Sequence, residues 1–122
     1  MQCKYLAPIS LVAIHIAAVG HAETIDVEND SRMAQYINKR MTLTMLCEKA
    51  IGPAWYQSAR AIGLVKLSNM VGMTKQEAHK MISDADKRLR NDPRLPDLQD
   101  KADPLRCMTM LNDLDFEYAD IK

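Results

Sequence analysis

Cysteine is the residue type in this chain with the clearest chemistry, because two thiols can join in a disulfide. Cys3 lies in an N-terminal segment that has the features of a cleavable signal, which leaves Cys47 and Cys107 as a pair. An oxidising compartment preserves a disulfide, and a small domain gains stability from one, so an even cysteine count in an exported chain favours the bond. We therefore predict a Cys47–Cys107 disulfide and no free catalytic thiol.

The N-terminal segment resembles a secretory signal peptide. Lys4 precedes an apolar run over residues 6–19, and Gly20-His21-Ala22 supplies the small residues that a signal peptidase recognises. The run is shorter than the ~20 residues that a membrane helix requires, which makes a permanent anchor the weaker interpretation. The sequence predicts cleavage that removes residues 1–22, export to the periplasm, and no membrane attachment afterwards.

The other ionisable side chains do not form a catalytic or metal-binding pattern in the sequence. His79 is the only histidine after the predicted cleavage site. The pairs Asp84 with Asp86 and Asp113 with Asp115 are spaced by two, which points their carboxylates apart on a helix. The sequence has no CxxC, HxxxH or EF-hand loop. We therefore predict a protein that is not an enzyme, with no cofactor and no metal.

Charge and methionine content narrow the classes of partner. The 16 Lys and Arg residues balance the 16 Asp and Glu residues, so there is no basic excess to attract nucleic acid or an anionic membrane. Methionine occurs nine times, with Met41 and Met45 one helical turn apart. Because thioethers bind Cu(I), a copper carrier remains an alternative interpretation of the protein. Methionine is also an adaptable apolar side chain that fills gaps in a core, and this structural role is the favoured interpretation.

Helix is the only periodic pattern after the signal segment. A polar leader over residues 23–30 has little to bury and is expected to be loose, which leaves a single domain at residues 31–122. Caps, glycines and prolines predict an all-α fold of four helices stapled by one disulfide. These helices run from Ser31 to about Ile51, from Pro53 to about Val71, from the capping box Thr74–Glu77 to about residue 90, and onward from Asp103 and Pro104.

Apolar positions predict which helix faces are buried. The stretch Met41–Cys47 carries no charge and should be central in the fold. Because four short helices are unlikely to cover it, we expect a homodimer that buries part of the first or second helix. The second helix has two predicted stripes, one of Trp55, Ala59, Ile62 and Lys66 and another of Leu64, Leu67 and Val71. The predicted faces of the other two helices are Ala78, Met81, Ile82, Ala85 and Leu89 in the third, and Cys107, Leu111, Leu114 and Tyr118 in the fourth.

The connection between the third and fourth helices is the most unusual segment by composition. It reads NDPRLPDLQDKA over residues 91–102, with two prolines, an excess of acid and two leucines. The first interpretation is a solvated connector folded against its own helix ends. The alternative is a partner-binding site, because a loop that proline stiffens loses less entropy when it docks. The predicted partner-binding residues are Asp92, Arg94, Leu95, Asp97, Leu98 and Asp100.

The order of these features resembles the type VI secretion amidase immunity proteins, the Tai and Rap group. The similar segments are Leu43–Cys47, Ser58–Gly63 and Leu105–Asn112, within a resemblance that covers about residues 33–115. The resemblance implies a periplasmic homodimer that binds a peptidoglycan amidase effector and inhibits it by blocking its substrate groove. The alternative is a small periplasmic acid-stress chaperone or another exported binding module, because protonation of the carboxylates would leave a strongly positive chain.

Overall fold

The computed structural model describes the backbone of residues 24–121 and the side chains of residues 29–121. The predicted cleavage site after Ala22 lies outside the described residues. The helices are α1 (Thr24–Leu46), α2 (Glu48–Ile51), α3 (Ala54–Ser68), α4 (Lys75–Arg90), α5 (Leu95–Lys101) and α6 (Pro104–Glu117). No strand occurs between residues 24 and 121, and the predicted all-α fold is confirmed.

The first predicted helix is longer and more divided than expected. α1 begins at Thr24, so residues 24–30 are helical and Ser31 lies inside the helix instead of capping it. No glycine or proline interrupts these residues, and a polar sequence without a breaker can extend a helix that is packed further along. The helix is broken at Cys47, and the short α2 continues to the predicted stop at Gly52, whose φ of 93° is in the left-handed region.

α1 is the centre of the fold, as the uncharged stretch Met41–Cys47 predicts. Every residue of that stretch is buried, and α3, α4, α5 and α6 all pack against α1. Burial of Thr42 and Thr44 leaves neither hydroxyl without a hydrogen bond. The Thr42 hydroxyl donates to the Asn38 carbonyl at 2.8 Å, and the Thr44 hydroxyl donates to the Arg40 carbonyl at 2.7 Å. One chain therefore covers this stretch, and the argument for a dimer from an uncovered first helix does not hold.

The buried face of α3 differs from both stripes predicted for it. The structure buries Tyr56, Ala59, Gly63 and Leu67, and it leaves Ile62 41% exposed. The cause is a close approach at Gly63, where an added Cβ would lie 2.8 Å from Cγ2 of Ile37. The smallest residue of the helix, not the most apolar one, sets the contact with α1. Trp55 is half-buried and packs against the core cluster that contains the disulfide.

The remaining helix ends and buried faces agree with the sequence. The Thr74 hydroxyl accepts a hydrogen bond from the Glu77 amide at 3.0 Å, and the Glu77 carboxylate accepts one from the Thr74 amide at 2.9 Å, which completes the predicted capping box. α4 buries four of its five predicted residues, with Met81 half-buried. α6 is capped by Asp103 and buries the predicted face that begins with Cys107.

The predicted disulfide is present. It joins Cys47 to Cys107, whose Cα atoms lie 6.0 Å apart. Since Cys47 marks the break between α1 and α2, the bond fixes the first turn of α6 to that break. It lies within a second core cluster that includes Leu43, Leu111 and Leu114.

Candidate functional site

The connection over residues 91–102 is largely helical and is not the extended loop that its prolines suggested. α5 occupies Leu95–Lys101, with Pro96 in the first turn, where a missing amide hydrogen costs nothing. Asp92 precedes the helix and accepts hydrogen bonds from the Arg94 amide at 2.9 Å and from the Arg94 guanidinium at 2.7 and 3.0 Å. These bonds turn the chain into the helix and lower the pKa of the Asp92 carboxyl.

α5 is docked against the body of the protein by two side chains that face inwards. Leu95 is only 9% exposed and belongs to the main core cluster, and Leu98 is half-buried against the same cluster. Gln99 donates a hydrogen bond to the Met45 carbonyl at 2.9 Å, which satisfies an acceptor in the last turn of α1. Leu95 is therefore part of the core and stabilises the fold, and its contact with a partner stays a prediction. Gln99 is not among the predicted site residues, although it is the only neutral amide within α5.

The other acidic residues of this segment are exposed and are paired within the chain. Asp97 forms an ion pair with Lys101 at 3.0 Å, one turn later in α5. Asp100 pairs with Lys49 of α2 at 2.8 Å. Exposed pairs of this kind contribute little to stability and exchange readily with other partners. Asp97 and Asp100 remain accessible for contact with another protein.

Three of the predicted site residues, Arg94, Asp97 and Leu98, meet at one cavity. It has a volume of about 340 Å³ and lies between the end of α1, α5 and the first half of α6. Its apolar wall consists of Leu46, Leu98, Met110 and the disulfide, and its charged rim includes Lys101, Asp103 and Arg106. α5 and α6 therefore flank a single concave site that the linear sequence does not indicate.

The outer face of α6 carries the two most exposed large hydrophobic side chains among residues 29–121. Leu105 is 77% exposed and Phe116 is 85% exposed. At 3.6 residues per turn, Leu105, Thr109, Asn112 and Phe116 share one side of the helix, and its two apolar ends lie about 16 Å apart. All four are exposed. None of these four residues is among the predicted site residues, although the helical spacing that predicts the buried face of α6 also predicts this exposed one.

One flank of α6 and the residues after it are held to α1 by polar contacts. Asp115 accepts hydrogen bonds from Arg40 at 2.6 Å and from the Tyr36 hydroxyl at 2.7 Å. Arg32 pairs with Asp120 at 2.6 Å, and this bond lowers the pKa of the Asp120 carboxyl. Together with the disulfide, these contacts fix α6 at both ends, so its outer face is presented on a rigid element.

Within residues 29–121, His, Cys, Asp and Glu do not gather in any group of three or more that could hold a metal ion. His79 is exposed on α4 and borders a shallow groove with Arg60 and Lys80. Among the helices described, none combines the length and apolar character needed to span a membrane. A disulfide between Cys47 and Cys107 fits an oxidising compartment.

Comparisons with protein-family models, with curated proteins and with solved structures gave no match.

Proposed function

We propose that this chain is a periplasmic immunity protein that binds a type VI secretion peptidoglycan amidase and blocks its substrate groove. The observation that carries the proposal is the exposure of Leu105 and Phe116 on one side of the rigid helix α6. Because both side chains lie on the same face of one helix, a partner could bury them together as two apolar anchors. The disulfide supports an oxidising location, and the resemblance in sequence layout supplies the amidase as the partner.

The inhibition needs no chemistry from this chain. A helix with its side chains is about 10 Å wide, so the outer face of α6 has the shape of an insert for an elongated groove. Leu105 and Phe116 would fill apolar pockets, and the polar side chains of Thr109 and Asn112 would form hydrogen bonds between them. The exposed carboxylates of Asp97 and Asp100 would lie at the edge of the interface, where charge affects the association rate more than the affinity.

The test is a titration of peptidoglycan hydrolysis by the amidase encoded beside this chain. The variant Leu105→Ala with Phe116→Ala should inhibit at least about a hundredfold less well than the wild type, because truncating a central anchor typically costs ~2 kcal/mol. Its helicity should be unchanged, since neither side chain is packed in the core. The matched control is Val65→Ala, which removes an apolar side chain that is 61% exposed on α3.

Each arm of the titration has a distinct consequence. The control Val65→Ala should inhibit as well as the wild type. Equal potency of the wild type and the α6 variant would reject α6 as the binding surface. Absence of inhibition by the wild-type protein would reject the amidase as the partner.

The homodimer that the resemblance implies stays a prediction, and sedimentation at micromolar concentration tests it.

The acid-stress chaperone is a second candidate, favoured by one observation. The ion pairs between α1 and the end of the chain depend on ionised carboxylates: Arg32 with Asp120 at 2.6 Å, and Lys39 with Glu117 at 3.6 Å. Protonation would weaken these contacts and loosen the end of α6, which would expose apolar surface to an unfolded client. Protection of a model client from aggregation at pH 3, but not at pH 7, would support this candidate.

A further inference from the structure

The cavity beside the disulfide has a composition that suits one class of small ligand. Leu46 and the two cysteines are buried in its wall, and Leu98 and Met110 are half-buried there. These side chains present aliphatic carbon and sulfur, which favours a flexible apolar chain. A volume of about 340 Å³ lies within the range of small-molecule sites. The apolar wall indicates the body of the ligand, and the rim indicates its polar end.

Among the described residues at the rim, Arg106 is the one cation without an ion pair. The Asp97 carboxylate is paired with Lys101 at 3.0 Å, and the Asp103 carboxylate accepts a hydrogen bond from the Leu105 amide at 3.2 Å. Arg94 is bound to Asp92. Arg106 has no ion pair and no side-chain hydrogen bond to any residue between 29 and 121. The N–H groups of the Arg106 guanidinium are therefore available to donate hydrogen bonds to a ligand at this rim.

We propose that this cavity binds an aliphatic monocarboxylate, with the hydrocarbon chain against Leu98, Met110 and the disulfide and the carboxylate on Arg106. A guanidinium binds a carboxylate through two parallel hydrogen bonds, and such charge-assisted bonds are stronger than neutral ones. An inorganic anion lacks the chain that fills the apolar wall, and an alcohol lacks the charge that matches Arg106. This site is separate from the outer face of α6, so the inference does not rest on the proposed function.

The experiment uses the oxidised protein without its signal segment, labelled with ¹³C at the methionine methyl groups. Titration with octanoate should shift the Met110 methyl signal with a dissociation constant of about 1 mM or below, as expected for a ligand of this size. Met41 and Met70 belong to the other core cluster, and their signals should not move. Octanol and acetate serve as probes that each retain only one half of the ligand, and both should bind more weakly.

Two variants separate the role of the charge from a general effect on the surface. Arg106→Gln should weaken octanoate binding about tenfold while octanol binds as before, because only the charge-assisted bonds are lost. Arg88→Gln is the matched control, since Arg88 is an exposed arginine on α4 and does not line the cavity. It should bind octanoate as the wild type does. Circular dichroism checks that both variants remain folded.

Several outcomes would overturn the proposal. An unchanged Met110 signal at millimolar octanoate would show that the cavity does not take the chain. Equal octanoate affinity of Arg106→Gln and the wild type would remove the carboxylate from the assignment, as would octanol binding as tightly as octanoate. Shifts of every methionine methyl together would mean non-specific association and would equally reject a site at this cavity.

Discussion

Gly63→Ala is a substitution for which helix propensity and packing predict opposite results. In the interior of a helix, alanine is favoured over glycine by about 1 kcal/mol. At Gly63 an added Cβ would lie 2.8 Å from Cγ2 of Ile37 and 3.2 Å from Cδ1 of Ile82. The Cδ1 atom ends a flexible side chain and can move. Cγ2 cannot, because it branches from Cβ of a residue that is 3% exposed in the central helix.

The steric cost is expected to outweigh the gain in propensity. Overpacking a core typically costs about 1–3 kcal/mol, so the net effect of Gly63→Ala is a loss of about 1 kcal/mol of unfolding free energy. For a domain of this size, that loss lowers Tm by about 4–8 °C. Thermal unfolding of the oxidised protein, followed by circular dichroism, measures the change. The control Ser58→Ala, at an exposed position of the same helix, should raise Tm slightly.

A second substitution tests the cause. Ile37→Leu removes the branch at Cβ and keeps the volume, so Gly63→Ala should cost nothing in that background. The double-mutant cycle reports the coupling between the two positions directly. A higher Tm for Gly63→Ala in the wild-type background would refute the close approach of α1 and α3. An equal loss in both backgrounds would refute Ile37 as its cause.

Two further predictions concern the disulfide and the response to acid. The double substitution of Cys47 and Cys107 by Ala should lower the unfolding free energy by about 4 kcal/mol, because the bond closes a loop of 60 residues. Urea unfolding measures this change, and a loss below about 1 kcal/mol would contradict the prediction. Hydrogen bonds from Arg94 lower the folded-state pKa of Asp92 below its unfolded value of about 3.9, so its stabilisation is complete above that pH and is lost as the pH falls through the lowered pKa. The Tm of the wild type should therefore be constant from pH 7 to pH 5 and fall below about pH 4. The variant Asp92→Asn should have a lower Tm at neutral pH, and its Tm should decrease less steeply in acid. If the Tm of the variant decreases as steeply in acid as that of the wild type, Asp92 does not contribute to the acid response.

The segment over residues 91–102 illustrates how far the sequence could be interpreted. Its composition correctly marked it as unusual, and its neighbour Asp103 was correctly predicted as a helix cap. Its two prolines predict a stiff loop, but proline is also favoured in the first turn of a helix. Whether Leu95 is exposed or buried depends on whether α5 lies against α1, and a short sequence of seven helical residues does not contain that information.

What the sequence determined by itself is the set of features governed by local backbone chemistry. The capping box at Thr74, the stop at Gly52 and the burial of the uncharged stretch Met41–Cys47 follow from residue types and spacing, because caps, turns and strong apolar runs act within a few residues. The Cys47–Cys107 pairing is not local, and it followed from the cysteine count once Cys3 was assigned to the signal segment. The tertiary structure decided which face of each helix is buried. A close approach at one glycine selected the buried face of α3, and the space left beside the disulfide formed the cavity, because packing depends on the shapes of helices that are distant in the chain.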